Sequence, residues 1–553
     1  MAVLTRLPEM HPANYCGGVH PRSVLLMYRR DFLRIAAGVA GAFAVGGCGS
    51  SGGGSTSTSF VQPNGPQVAA AATRRPEGPL RHFALRATPA AVDLGGVKVD
   101  TWTYGGALPG QEIRIRRGDT VEAVLSNALP GETSVHWHGI TLRNDMDGMP
   151  GVTQSSIAGG ADFTYRFVAD APGTYFFHPH TGTQLDRGLY APLIVEDPDE
   201  HDGYDEEWVI VLDDWLDGVA DSNPDSILAQ LRSMPMSHGD AGDTHGGADM
   251  GGMNMGGLDT GHGVADHPAG AAVASPPPKP APLMGAHSDL LGGDPGDVSY
   301  PYYLINGRIP SAPRTLNSKP GRRVRIRLIN AGGDTAFRVA LGGHRLRVTH
   351  TDGHPVVPVE VDALLIGMGE RYDVQVKLAD GVFPLVATAE GKAGAALAVI
   401  RTGAGRPPRA NVRPRELTGQ LLRYDQLNSD ASVTLPPHPV DREHRLELKV
   451  AKMGYLWTIN GTPFEKAEPI PVSSGQRVRL TYTNSTKMWH PMHLHGHTFQ
   501  LGGNGPRKDT VVVLPKQTVT VDFDADNPGR WMVHCHNVYH QEAGMMRVLA
   551  YTA

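Results

Sequence analysis

The chain has 553 residues and a formal net charge of -6, from 50 Lys and Arg against 56 Asp and Glu. That length is too great for one ordinary core, and so mild a charge gives no reason to expect nucleic acid as a partner. With 68 Gly, 44 Pro and only 7% aromatics, the many short apolar runs between turn residues favour β-sandwiches over helical bundles.

Residues 1–48 read as a leader. YRRDFLR at 28–34 precedes the apolar run IAAGVAGAFAVGG at 35–47, which is short for a membrane span and suits a signal peptide; the alternative is an uncleaved anchor helix. Arg29-Arg30 followed by Phe32-Leu33 resembles the twin-arginine export signal, with Met27 as an alternative start to Met1. VGGC at 45–48 resembles a lipoprotein cleavage box, which would make Cys48 a lipidated membrane attachment. An extracytoplasmic location is therefore expected. Residues 49–78, with SSGGGSTSTS at their start, read as a flexible tether.

Three stretches then share one pattern: Gly118-Val121-Asn127, Gly321-Val324-Asn330 and Gly475-Val478-Asn484. Alternation after each Gly predicts a strand with one buried face, and each is preceded by a turn, YGGALPG at 104, INGRIP at 305 and INGTPF at 459. Repetition at this length means repeated domains, read as three Greek-key β-sandwiches over 79–198, 199–403 and 404–553, an all-β chain. The first glycine interval exceeds the second by 49 residues. An insert at 234–287 fills the difference; it has few large apolar residues apart from Met and is expected to be disordered.

The chain has 25 histidines and three cysteines, Cys16, Cys48 and Cys535; with the first two in the leader there is no disulfide scaffold. Eight of the histidines form four His-x-His pairs: His136-His138, His178-His180, His493-His495 and His534-His536. On a strand both members of such a pair point to one face. Two pairs close the first and third repeats at the same point (PGTYFFHPH at 172–180, PGRWMVHCH at 528–536), while the second closes without one and reads as a spacer. Eight imidazoles could hold about three metal ions at the two or three ligands typical of open sites. Cys535 points away from His534 and His536 and must serve another metal. Two histidines, a cysteine and a weak axial methionine make a blue-copper site, for which Cys535, His540, Met545 and His490 are the candidates.

Together HWHG, HPH, HPMHLHG and HCHNVYHQEAGM resemble the four copper-binding motifs of the multicopper oxidases, from about residue 80 to the end, and in particular the bacterial three-domain, laccase-like copper-resistance oxidases. The resemblance implies cupredoxin-like domains and four copper ions. His490, Cys535, His540 and Met545 would hold type 1 copper, and His136 and His493 type 2. His138, His178 and His536 would hold one type 3 copper, and His180, His495 and His534 the other. It also implies that single electrons from a reductant enter on the Cys535 side and pass through that residue and its flanking histidines, and that O2 is reduced to two waters. Asp147 matches an acidic residue that delivers protons in the family, the alternative being a turn carboxylate in DMDG. The family's other acidic position is Gln541 here, with Glu542 next to it as a substitute.

The insert interleaves Met234, Met236, Met250, Met253, Met255 and Met284 with His238, His245, His262, His267 and His287. Thioether sulfur suits Cu(I), so the insert reads as a copper-recruiting arm rather than a bare linker. Met488 matches a substrate-copper methionine of cuprous oxidases; the companion acidic position is Thr486. The leading expectation is a monomeric enzyme that oxidises Cu(I) to Cu(II) at the expense of O2. A general laccase acting on phenols is the runner-up, and a copper-buffering protein a third reading.

Overall fold

The computed structural model describes residues 59–200, 203–234, 279–452 and 454–553. The leader with Arg29, Arg30 and Cys48, and the centre of the insert with Met250, Met253 and Met255, lie outside the described residues. No helix among the described residues is long and apolar enough to cross a membrane.

Six large sheets follow one another in pairs along the chain. Strands between residues 80 and 196 form two four-stranded sheets, and strands between 206 and 401 a six- and a five-stranded sheet. Strands between 442 and 551 form another six- and five-stranded pair. The first sandwich closes on its own core, with Leu85, Val121 and Leu125 of one sheet and Ile115, Tyr175 and Leu193 of the other. The second and third share one continuous core that runs from Ile326 and Val374 to Leu480 and Cys535.

The repeated Gly–Val–Asn pattern is the organising element of each sandwich. Strands Thr120–Asn127, Arg323–Asn330 and Arg477–Asn484 each pair in parallel with the strand that opens their sandwich, and in antiparallel with a later one. Each ends on a buried asparagine whose side chain pins the following loop. Asn127 donates to the carbonyls of Gly131 and Ile157 at 2.9 and 2.8 Å, and Asn330 to Thr335 and Ile366 at 2.9 and 3.0 Å. Asn484 donates to Met488 and Val513 at 2.8 and 3.0 Å. A buried carbonyl left unpaired costs about 1–3 kcal/mol, so these amides fix the loops that lead into the histidine strands.

The tether expected over 49–78 does not extend through its described part. Phe60 bridges to Thr552, the Val61 N–H donates to Tyr551 at 2.8 Å, and residues Pro66–Ala72 form a helix. Val61 and Val68 are buried in the core shared by the second and third sandwiches. Gly and Ser dominate only the stretch before residue 59; beyond it two valines supply the apolar area that fixes the segment.

Candidate metal centre

Strand alternation sorts the site. His136 and His138 lie on strand His136–His138, which pairs with strand Gly173–His178 so that His136 stands opposite His178. Trp137 between them points into the first core, with ring centroids 4.9 Å from Phe167 and 5.2 Å from Phe177. In the third sandwich His493 stands opposite His534 and Met492 opposite Cys535. The eight paired histidines are all buried, at most 4% exposed. Rings from the two ends of the chain interleave: His136 stacks on His495 at 3.7 Å and His138 on His493 at 3.9 Å.

Ligand atoms converge in triplets, within 4.8 Å of one another, at His138, His178 and His536; at His180, His495 and His534; and at His136, His138 and His493. His136 also lies with His178 and His180. Nε2 of His136, His178, His180 and His493 has no hydrogen-bond partner among the described residues. In three of these rings the opposite nitrogen is held from outside: Nδ1 of His136 by the Asp147 carbonyl at 3.0 Å, of His178 by the Pro179 carbonyl at 3.1 Å and of His493 by the Asp509 carbonyl at 2.9 Å, whereas neither nitrogen of His180 has a partner among the described residues. Rings oriented by their outer nitrogen with the inner one unpaired are what metal-binding imidazoles require, so the residues fit copper.

Burial, followed by the charge of neighbouring groups, holds His138, His178, His180, His495, His534 and His536 well below the usual imidazole value. These rings are neutral and keep the lone pairs a metal needs. The same shift fixes the acid response of the metal-free protein. Below about pH 6.5 the unfolded chain binds protons that the folded rings refuse, so this contribution to stability is complete above that pH and is lost as pH falls. Each ring contributes up to about 1.4 kcal/mol per pH unit. The thermal midpoint of the metal-free protein is expected to drop steeply between about pH 6.5 and 5, and copper loading to flatten that drop; a midpoint independent of pH would contradict the shifts.

Cys535, His490 and His540 form a separate buried triplet on the other side of the strand. The Cys535 Sγ lies 3.6 Å from His490 Nδ1 and 3.5 Å from His540 Nδ1. Burial pushes the thiol pKa up, so the thiolate needs a cation to form. Met545 is fully buried, and its carbonyl accepts from the Cys535 N–H at 3.1 Å. The outer nitrogens are held here too: His490 Nε2 by Thr486 Oγ1 at 2.9 Å and His540 Nε2 by Asp297 Oδ2 at 2.8 Å.

Thr486 and Asp297 also line a cavity of about 190 Å³, together with Met234, Met284, Met488 and Asp294. Two of these methionines come from the two ends of the insert. Met284 is 72% exposed and Met488 3%. Burial raises the Asp294 carboxyl to about 6.

The sequence model of the multicopper oxidase family matches residues 87–200, 286–405 and 437–553. The chain is 46% identical to the multicopper oxidase MmcO of Mycobacterium tuberculosis, over 95% of this chain and 96% of that one. The chain belongs to the multicopper oxidase family. It is an oxidoreductase that uses O2 as acceptor and binds copper. It is also 28% identical to a copper resistance protein A homolog of Pseudomonas syringae, over 84% of this chain and 91% of that one. The solved laccase of Botrytis aclada shares the fold, with a TM-score of 0.64 at 24% identity over 86% of this chain and 88% of that one.

Asp147 sits where two histidines meet. Its carboxylate approaches His495 Nδ1 at 3.0 Å and His136 Nδ1 at 3.3 Å. Glu542 ends the helical turn Val538–Glu542; its carboxylate accepts from Gln541 Nε2 at 3.4 Å and its carbonyl accepts from Arg232. Sequence reading missed Asp297, Asp509 and Arg371. Asp297 lies in GGDPGDVSY and Asp509 in PRKDTVVV, and neither stretch carries a ligand spacing.

Proposed function

We propose that this oxidase takes Cu(I) as its reductant outside the cytoplasm, where four Cu(I), one O2 and four protons become four Cu(II) and two waters. The observation that carries this reading is the cavity beside His490 and His540, where Met234, Met284 and Met488 offer three soft thioether sulfurs near the carboxylate of Asp294. Both ends of the methionine- and histidine-rich insert reach that cavity, which suits a recruiting arm that includes Met250, Met253 and Met255. The twin-arginine and lipoprotein features of the leader support export, with Cys48 as the anchoring residue.

Three cupredoxin-like domains, 79–198, 199–403 and 404–553, would then hold four coppers. His490, Cys535, His540 and Met545 are the type 1 ligands, and His136 and His493 the type 2 ligands. His138, His178 and His536 hold one type 3 ion, and His180, His495 and His534 the other. Bound copper supplies one-electron oxidation and O2 reduction. The residues themselves orient and connect: Cys535 is one peptide bond from both His534 and His536, so the two centres share a strand. Asp147 is placed to hand protons in beside His136 and His495, with Glu542 as a second acid near the surface.

O2 uptake by the copper-loaded protein with Cu(I), Fe(II) and a phenol, compared side by side, tests the reading. Cu(I) is expected to be the best reductant. Deleting 234–287, or replacing Met284 and Met488 by Leu, should lower Cu(I) oxidation relative to phenol oxidation by about tenfold, or about 1.4 kcal/mol. Equal loss with both reductants would overturn it in favour of a general laccase. A blue protein that consumes no O2 would instead point to copper buffering.

A further inference from the structure

The second sandwich supplies no paired histidine, yet its backbone touches the histidine cluster. A Cβ at Gly369 would stand 2.8 Å from His536 Cδ2 and 3.0 Å from His138 Cε1, so only glycine fits there. Two residues on, the fully buried Arg371 clamps Asp509 of the third sandwich, Nη1 to Oδ1 at 2.7 Å and Nη2 to Oδ2 at 2.6 Å. Its Nε donates to the Thr174 carbonyl of the first sandwich at 2.9 Å, and Nη1 also to Gly369 at 3.0 Å. One guanidinium thus ties all three sandwiches together. Gly139, which closes HWHG, makes room for it: a Cβ there would fall 2.4 Å from Arg371 Nη2 and 2.7 Å from Asp509 Oδ2.

Asp509 and Asp147 occupy matching places around the cluster. Each offers its carbonyl to the first histidine of its own sandwich, His493 and His136, and its carboxylate to the second histidine of the other. The rings they hold are turned opposite ways. His495 meets Asp147 through Nδ1 and turns Nε2 to His534 at 3.1 Å. His138 meets Asp509 Oδ1 through Nε2 at 3.2 Å and turns Nδ1 to His536 at 3.2 Å. The Asp509 side carries the added guanidinium, while at the glycine matching Gly139, Gly496, the neighbour is the ring of Trp531.

We propose that Arg371 is a positioning residue for the copper cluster: its two-pronged grip aims the Asp509 carboxylate at His138 Nε2, which leaves Nδ1 as the nitrogen that His138 presents beside His178 and His536. A bidentate arginine–carboxylate pair fixes direction as well as charge, which a lysine cannot reproduce. Partners of this kind set the tautomer and orientation of a ligating histidine, and their loss costs about 10–100-fold in metal affinity. The second sandwich is on this account the part that fixes the geometry of a site whose ligands all come from the other two.

The test uses the full chain with Arg371→Met, Arg371→Lys and Asp509→Asn. Copper per chain and its resistance to a competing chelator are measured, with the blue absorption of the Cys535 centre as an internal control. The Met and Asn variants are expected to lose one cluster copper to chelator at about 10–100-fold lower concentration, with the blue absorption unchanged and the Lys variant in between. Copper retention equal to the parent's in a folded Arg371→Met protein would overturn the proposal, as would a lower thermal midpoint with copper affinity unchanged. If Arg371→Met does not fold, the nearly isosteric Asp509→Asn decides by the same measure. None of these readouts depends on which reductant the enzyme prefers.

Discussion

Replacing Cys535 by serine is expected to reduce O2 consumption with any reductant by at least three orders of magnitude, about 4 kcal/mol at 1.36 kcal/mol per decade. The side chain is fully buried, and its sulfur lies within 3.6 Å of the inner nitrogens of both His490 and His540. Serine is nearly the same size, so packing survives, but a hydroxyl is a hard, weakly acidic donor in place of a soft thiolate. The strand that joins the two centres then loses its first atom while keeping its backbone. Blue absorption should vanish, and the eight-histidine cluster should keep its copper, because the sulfur belongs to the separate triplet with His490 and His540. Turnover within tenfold of the parent would mean that electrons enter elsewhere.

The histidine pairs and Cys535 could be read from the sequence because strand alternation is local: neighbours on one strand necessarily face opposite sides. For the same reason Gly118, Gly321 and Gly475 marked three equivalent strands whose terminal asparagines now have identical tasks. What escaped the sequence depends on contacts between distant segments. His138 and Asp509 are 371 positions apart, and His540 and Asp297 are 243. No spacing rule links them, and each carboxylate lies among residues that read as ordinary strand or turn. The second repeat looked like a spacer because it lacks ligands, whereas Gly369 and Arg371 act through shape and charge. The tether was overextended because composition averaged a Gly/Ser run with the buried Val61 and Val68.

Asp147→Asn separates the two matching carboxylates. Burial works to raise the Asp509 carboxyl, but Arg371 together with His138 and His493 brings it well below the ordinary value, so Asp509 is a fixed anion. Asp147 has the other duty if it passes protons to the oxygen side. An asparagine there still accepts from His495 Nδ1 through its amide oxygen, so the ring stays in place, but it cannot take up and release a proton. Loss of a positioned acid–base group costs about 10²–10⁴ in rate. Asp147→Asn is therefore expected to cut O2 turnover by at least about a hundredfold at unchanged copper content. Reduction of the blue centre under argon should proceed at the parent's rate, because that half of the reaction consumes no proton at the cluster. Asp509→Asn should give the reverse pattern, with copper lost first and turnover falling in proportion, because an amide nitrogen cannot accept from Arg371 and the two-pronged grip that aims the side chain at His138 is broken. If Asp147→Asn loses copper and retains its turnover per bound cluster, Asp147 orients His136 and His495 and the protons enter by another route.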